Sequence, residues 1–250
     1  MQEISLGGGG GMAQPFAVRR MRIALVGSGT AGPAAAILLA RQGHEVVVYE
    51  RAPDCRPVGA GFLLQPSGMG VLDELGILAP ILRHGARVDR LHIMESDGRD
   101  LLDLRYQKMG EGRFGLGLHR PVLLHYLLEA AAEEGVPVHW GHEVLSAKRE
   151  TEGWRLRFVE QEDACRFDLL LIGDGARSTL RDQLKPAAVN RGYPWGAHWF
   201  IGRSDGSFPA HELHQIVRGT RQLAGFLPTG FELGKTDHPF RFKLNVICSR

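Results

Sequence analysis

Hydrophobic positions along the chain change period several times, and each change marks an element. Residues 22–26 are apolar after the first and residues 45–49 are rich in valine, so both read as short buried strands. Between them, residues 34–41 form an alanine- and leucine-rich run that stops before Gly43, a normal place for a helix to end. Strand, helix and strand within about 30 residues form a βαβ unit, whose crossover is right-handed and whose strands are parallel.

Residues 67–76 follow as a short helix with Ser67 as N-cap, Gly76 at its end and Val71, Leu72 and Leu75 on one side. Residues 88–104 alternate on either side of Asp97-Gly98, the turn signal of a hairpin. Pro121 opens a long helix whose stripe of Leu123, Leu124, Leu127 and Leu128 runs up to Gly135. Residues 136–140, 154–159 and 167–172 read as strands, the last uniformly apolar and therefore expected at the centre of a sheet. From Tyr193 onward, aromatic and β-branched runs at 195–201, 212–217, 222–227 and 240–248 predict a second, mostly antiparallel layer. The expected fold is α/β: a Rossmann-like parallel sheet over residues 21–190, with the hairpin inserted near 88–105, and an antiparallel sheet over 191–250.

Composition narrows the function classes. The chain is 44% hydrophobic and 23% charged, an ordinary globular balance. Its 30 basic residues against 28 acidic ones leave a formal charge of +2, and no run of like charge marks a nucleic-acid groove. The longest apolar stretch, residues 34–40, falls far short of the roughly 20 residues of a membrane span. Residues 1–20 carry a five-glycine run and no secretory apolar segment, so they read as a disordered extension, with Met12 and Met21 as alternative starts. Cys55, Cys165 and Cys248 form no C-x-x-C pair, which fits a reducing cytoplasm. The histidines show no ligand spacing; His119, His198, His211 and His214 fall on different elements, and no metal is expected. No G-x-S-x-G supports a serine hydrolase.

The candidate chemistry is concentrated after the first strand, in Gly27-Ser28-Gly29-Thr30-Ala31-Gly32. In such a G-x-G-x-x-G, the first glycine makes the tight turn, the second lets backbone approach a pyrophosphate, and the third lets helix and strand pack closely. The helix N-terminus then offers free N–H groups to the phosphates. Glu50, 18 residues beyond Gly32 at the end of the second strand, stands where a carboxylate holds an unphosphorylated ribose. The fingerprint by itself serves NAD and FAD alike.

Three more segments decide between them: residues 59–67 (Gly-Ala-Gly-Phe-Leu-Leu-Gln-Pro-Ser), Leu118-His119-Arg120 before the long helix, and Gly173-Asp174-Gly175-Ala176-Arg177-Ser178 with Arg181. With residues 225–230, this set resembles the FAD-dependent aromatic monooxygenases, the p-hydroxybenzoate hydroxylase-like family. The resemblance implies FAD as cofactor, NADH or NADPH as transient reductant, molecular oxygen, and a small aromatic substrate against the 191–250 sheet. It places Arg120 at the flavin's phosphate or ribityl region, Gly61, in the 59–67 segment, among the cofactor-binding residues, and Asp174 in a motif serving FAD and the pyridine nucleotide. Arg51 falls near the adenosine and Val144 gives a backbone contact to adenine. Arg120 as a sheet-edge cap, Asp174 as a turn residue and Arg51 as a solvated cation remain alternatives, and no catalytic residue is singled out.

Two departures from the family accompany the resemblance. Its glycine-alanine-aspartate-glycine is shortened to Gly173-Asp174-Gly175, and its later glycine-aspartate-alanine flavin motif does not occur in the 250 residues. A remnant that binds nucleotide without hydroxylating is therefore the second reading. An NAD-dependent dehydrogenase is the third, although no Tyr-x-x-x-Lys is present.

Overall fold

A computed structural model describes residues 19–55, 60–159, 165–184, 195–203, 206–234 and 241–249. Nearly all of the glycine-rich extension, Gly59 and the expected domain junction near 190 lie outside the described residues. In chain order the elements are β1 (Arg22–Val26), α1 (Ala31–Arg41), β2 (Glu45–Glu50), β3 (Gly61–Leu64), α2 (Pro66–Glu74), α3 (Leu78–His84), β4 (Ala86–Val88), β5 (Arg90–Glu95) and β6 (Asp100–Arg105). Then come β7 (Gly115–His119), α4 (Arg120–Glu133), β8 (Val138–Trp140), β9 (Val144–Glu150), β10 (Gly153–Phe158), β11 (Cys165–Phe167), β12 (Leu169–Ile172) and α5 (Thr179–Leu184). The chain continues through β13 (Trp195–Arg203), β14 (Glu212–Arg218), β15 (Gln222–Gly230) and β16 (Arg241–Ser249).

The expected parallel sheet is present, in the order β12-β1-β2-β8 with every neighbour parallel. Alternation along β1 explains how it is covered. Ile23 and Leu25 pack with α1, α4 and the α2–α3 region on one face, while Ala24 and Val26 pack with Phe158, Phe167 and Leu180 on the other. The second face is thus roofed by the three-stranded sheet β11-β10-β9 and by α5. Burial on both sides is what makes such strands continuously apolar.

This corrects the expectation for residues 167–172, which form no single central strand. They split at Asp168, whose N–H donates to the Arg22 carbonyl at 2.9 Å and whose carboxylate accepts the Arg22 N–H at 2.7 Å. The part beyond, β12, lies at an end of the described sheet. Its apolarity comes from its two covered faces, with Leu169 and Leu171 against one core and Leu170 and Ile172 against the other.

Other boundaries shift for local reasons. Helix α1 begins three residues earlier than expected, because Ala31, Gly32 and Pro33 already form its first turn, and it ends at Gly43 with φ +86. Ser67 does not cap α2; Gln65 does, with Pro66 in the first turn, and Met69 and Leu72 face the core while Val71 is exposed. In α4, Pro121 is the second helical residue, after Arg120.

The second layer is the six-stranded sheet β13-β16-β15-β14-β5-β6, antiparallel throughout except for β14 beside β5. The hairpin turns at Asp97-Gly98 as expected, and its strands β5 and β6 belong to this sheet. A small sheet, β3-β7-β4, links the two layers: Leu63, Leu91 and Leu213 pack with Val88, Tyr106 and Leu227.

The aromatic roof of the parallel sheet generates a pH prediction. The Tyr49 ring lies 4.7 Å from that of Phe158 and 5.3 Å from His139, stacked on the latter. Burial, reinforced by the neighbouring Cys165, pushes its phenol from 10.0 up to about 12. The folded state therefore holds this proton more tightly than the unfolded chain, so the stabilisation is complete below pH 10 and is lost as pH rises towards 12. Two units correspond to about 2–3 kcal/mol. In urea titrations, Tyr49→Phe should flatten the stability loss over that window; an unchanged slope would refute the coupling.

Close packing generates another. Gly27 has φ +102, and a Cβ there would fall on the carbonyl of Gly173; a Cβ on Gly32 would fall on the carbonyl of Gly27. Gly27→Ala and Gly32→Ala should each destabilise by about 2 kcal/mol or more, a fall of about 4–8 °C in Tm. A melting curve within a degree or so of wild type would contradict this packing.

Candidate functional site

Three parallel strands end together, and the loops that leave them build the site. The Gly27 N–H donates to the Tyr49 carbonyl at 2.8 Å and the Gly173 N–H to the Val26 carbonyl at 2.7 Å, so the turns after β1, β2 and β12 are laced side by side. Ligands of open parallel sheets bind at this edge, outside the carboxyl ends of the strands.

Past Gly27 the surface opens. Gly29, Thr30 and Ala31 are exposed, and a Cβ built on Gly29 meets nothing within 4 Å, in contrast to Gly27 and Gly32 on either side. Thr30 is the N-cap of α1 and its side chain makes no capping hydrogen bond. The first N–H groups of the helix therefore face outward, with the positive end of the helix dipole behind them. The Ser28 hydroxyl, in the same loop, is buried with no partner among the described residues.

Glu50 closes the opposite side. Its Oε2 accepts the Ser28 N–H at 2.7 Å and its Oε1 the Ala52 N–H at 2.9 Å. The carboxylate thereby fixes the glycine loop to the end of β2, and each oxygen keeps a lone pair for a further donor.

A cleft between these loops is lined by Gly27, Tyr49, Glu50, Arg51, His142, Glu143, Val144, Asp174, Arg177 and Thr179, with Val26 at its base. Five of the residues singled out from sequence, Gly27, Glu50, Arg51, Val144 and Asp174, thus share one cleft, and Gly29, Thr30, Ala31 and Gly32 follow Gly27 in the chain, from the glycine loop into the first turn of α1. Val144 is buried as the first residue of β9, Arg51 is exposed and Asp174 is half-buried. Tyr49, His142, Glu143, Arg177 and Thr179 were not anticipated as lining residues. His142 and Glu143 lie in the turn after β8, and the rule that the site follows the ends of parallel strands would have pointed to them.

Gly61 and Arg120 lie elsewhere. Gly61 pairs with His119 across β3 and β7, and a Cβ on it would strike the Thr229 side chain. Thr229 is wholly buried, its hydroxyl 3.2 Å from His119 Nε2, so the absent side chain at Gly61 lets β3 lie against β15. Arg120, at the start of α4, is exposed and has no hydrogen-bond or ion-pair partner among the described residues. Among the described residues, no helix is long and apolar enough to cross a membrane.

The fit with FAD rests on these features: an open backbone cradle at an uncapped helix end, an orphaned hydroxyl within it, and a carboxylate at the end of β2. Comparison with known proteins agrees. A family model described as an FAD binding domain matches residues 20–213. A kynurenine 3-monooxygenase of Salinispora arenicola is 35% identical over 196 residues, covering 71% of this chain and 42% of the relative. A 2-heptyl-3-hydroxy-4(1H)-quinolone synthase of Mycobacteroides abscessus is 34% identical over 160 residues, 64% of this chain and 41% of that protein. Pseudomonas aeruginosa PqsL, solved in complex with 2-aminobenzoylacetate, superposes with a TM-score of 0.78 at 26% identity over 93% of this chain and 62% of its own. The chain therefore spans about two fifths of the length of these relatives and three fifths of PqsL. With the glycine cradle at the carboxyl ends of its parallel strands and the family model over most of its length, the chain belongs to the FAD binding domain family.

Proposed function

We propose that this chain supplies the FAD-holding part of a flavin-dependent monooxygenase that uses NADH or NADPH and molecular oxygen to oxidise a small aromatic substrate. The carrying observation is the cradle at Gly29, which is open where Gly27 and Gly32 are closed and adjoins Ser28, whose N–H donates to Glu50. When bound, FAD supplies the electron transfer from the pyridine nucleotide and the activation of oxygen, chemistry that side chains lack.

The chain's own residues bind and orient. The N–H groups from Gly29 to Gly32 at the α1 N-terminus hold the pyrophosphate. The free lone pairs of Glu50 accept the ribose hydroxyls, and the Arg51 side chain flanks the adenosine beside the Val144 backbone. Asp174 and Arg177, on the turn after β12, border the same cleft. Arg120, exposed without a partner at the start of α4, reaches towards the phosphate or ribityl region, and Gly61 keeps β3 low beneath it. The six-stranded sheet, through β15, forms the wall of the substrate site. A cytoplasmic location suits the NAD(P)H supply.

The relatives' names suggest a substrate class. Kynurenine and 2-aminobenzoylacetate are both 2-aminophenyl ketones, and a 4-quinolone contains that unit closed into a ring. A 2-aminophenyl ketone is therefore the first substrate class to assay, by its stimulation of NAD(P)H oxidation.

Gly29→Ala separates binding from folding, since the added methyl meets no protein atom. Its Tm should stay at the wild-type value, while FAD affinity measured by calorimetry falls by about tenfold or more, the loss of roughly one charge-assisted hydrogen bond. Glu50→Ala should lower both, because the Ser28 and Ala52 N–H groups lose their acceptor. Unchanged FAD affinity in Gly29→Ala would overturn the site.

A further inference from the structure

Outside the cleft, the described residues contain one group of side chains arranged to ligate a metal, on the opposite face of the six-stranded sheet. Leu91 and Leu213 point towards the flavin-binding layer. Strand alternation therefore sends Arg90, His92, Glu212 and His214 to the outer face. The parallel register sets His92 beside His214 and Arg90 beside Glu212. His92 and Glu212 are buried, and the His214 side chain is 19% exposed.

The two imidazoles converge on one carboxylate oxygen. His92 Nδ1 lies 3.3 Å from Glu212 Oε1 and His214 Nδ1 lies 2.9 Å from the same atom. The three potential ligand atoms all lie within 4.8 Å of one another. Tetrahedral zinc with bonds of about 2.0–2.1 Å needs ligand atoms about 3.3–3.4 Å apart, so only small side-chain rotations separate this cluster from a coordination shell.

Its surroundings are those of a metal site. Behind His92, Asp100 Oδ1 accepts from Nε2 at 2.6 Å, which orients the ring so that Nδ1 faces Glu212. The other Glu212 oxygen, Oε2, accepts from Arg90 Nη1 at 3.0 Å, which holds the carboxylate with Oε1 turned towards the two imidazoles. Arg90 also binds Asp103 at 2.6 Å, and Arg105 stands 3.7 Å from Asp103. Asp100, Asp103 and Glu212 against Arg90 and Arg105 leave a net negative charge for a cation to balance.

We propose that His92 Nδ1, Glu212 Oε1 and His214 Nδ1 form a binding site for a divalent transition metal of the zinc class. Asp100 orients His92, and water completes the shell. Binding releases to solvent the proton that lies between His214 Nδ1 and Glu212. The ion clips β5 to β14, parallel neighbours that are 122 residues apart in the chain. That separation is why no local spacing of histidines reveals the site. It is independent of the flavin cleft.

The test uses the purified full chain, stripped with chelator and titrated with Co²⁺ and then Zn²⁺. The expected result is stoichiometric binding with ligand-field bands of low-coordinate Co²⁺, displaced by Zn²⁺, and a zinc-dependent rise in Tm. His214→Ala, at the most exposed of the three ligands, should abolish the bands in a chain whose circular dichroism is unchanged, as should His92→Ala if it folds. Asp100→Asn should bind about 10–100-fold more weakly. Cys55→Ser, which removes an exposed thiol outside the cluster, should bind as wild type. Absence of the bands in the folded wild-type chain, or their survival in folded His214→Ala, would overturn the proposal.

Discussion

The turn after β1 rests directly on the turn after β12, backbone against backbone, and the rest of the site depends on that contact. A side chain at Gly27 would drive the Gly173–Asp174 loop away, and one at Gly32 would lift α1 off its own strand. Without them, α1 starts where β1 stops, its N–H groups emerge at the sheet edge, and Asp174 and Arg177 are brought to the wall of the same cleft as Glu50. Gly29 alone among the three fingerprint glycines is not explained by packing. Its missing side chain leaves the backbone open to the proposed pyrophosphate.

Glu50 ties this loop to its neighbour. The two backbone N–H groups that donate to its carboxylate make it a structural strut as well as the proposed ribose ligand, so the loop is already held in shape before a cofactor arrives. Preorganisation of this kind lowers the ordering cost of binding. The same economy appears where the layers meet. Gly61 and Gly117 let β3 and β7 lie against β15, with the buried Thr229–His119 contact between them. The two layers are thus joined by close backbone approach, which sets the height of β15 relative to the parallel-sheet layer.

Much of this was legible in the chain. The βαβ unit, its glycine fingerprint and Glu50 could be read because each is local: the period of the apolar residues, the spacing of the glycines and the strand-end carboxylate all fall within 30 or so residues. The hairpin around Asp97-Gly98 and the strands of the second layer were legible for the same reason. Position within a sheet was not. Uniform apolarity in Leu169–Ile172 reports two covered faces and not centrality. Short or charged strands escaped: β7 is glycine-rich, and β9 (Val144–Glu150) carries Lys148, Arg149 and Glu150 among few apolar positions. The lining contributed by His142 and Glu143, and the meeting of His92 with His214, arise from strand pairing between distant segments, which no single stretch of sequence encodes.

The central claim is that the cleft at the ends of β1, β2 and β12 recognises the adenosine diphosphate half of FAD. The most direct measurement is a comparative titration with FAD, FMN and ADP-ribose, following flavin fluorescence and competition. The account predicts that FAD binds, that ADP-ribose displaces it and that FMN, which lacks the second phosphate and the adenosine, does not compete. Equal binding of FMN and FAD, or FAD binding untouched by ADP-ribose, would contradict it.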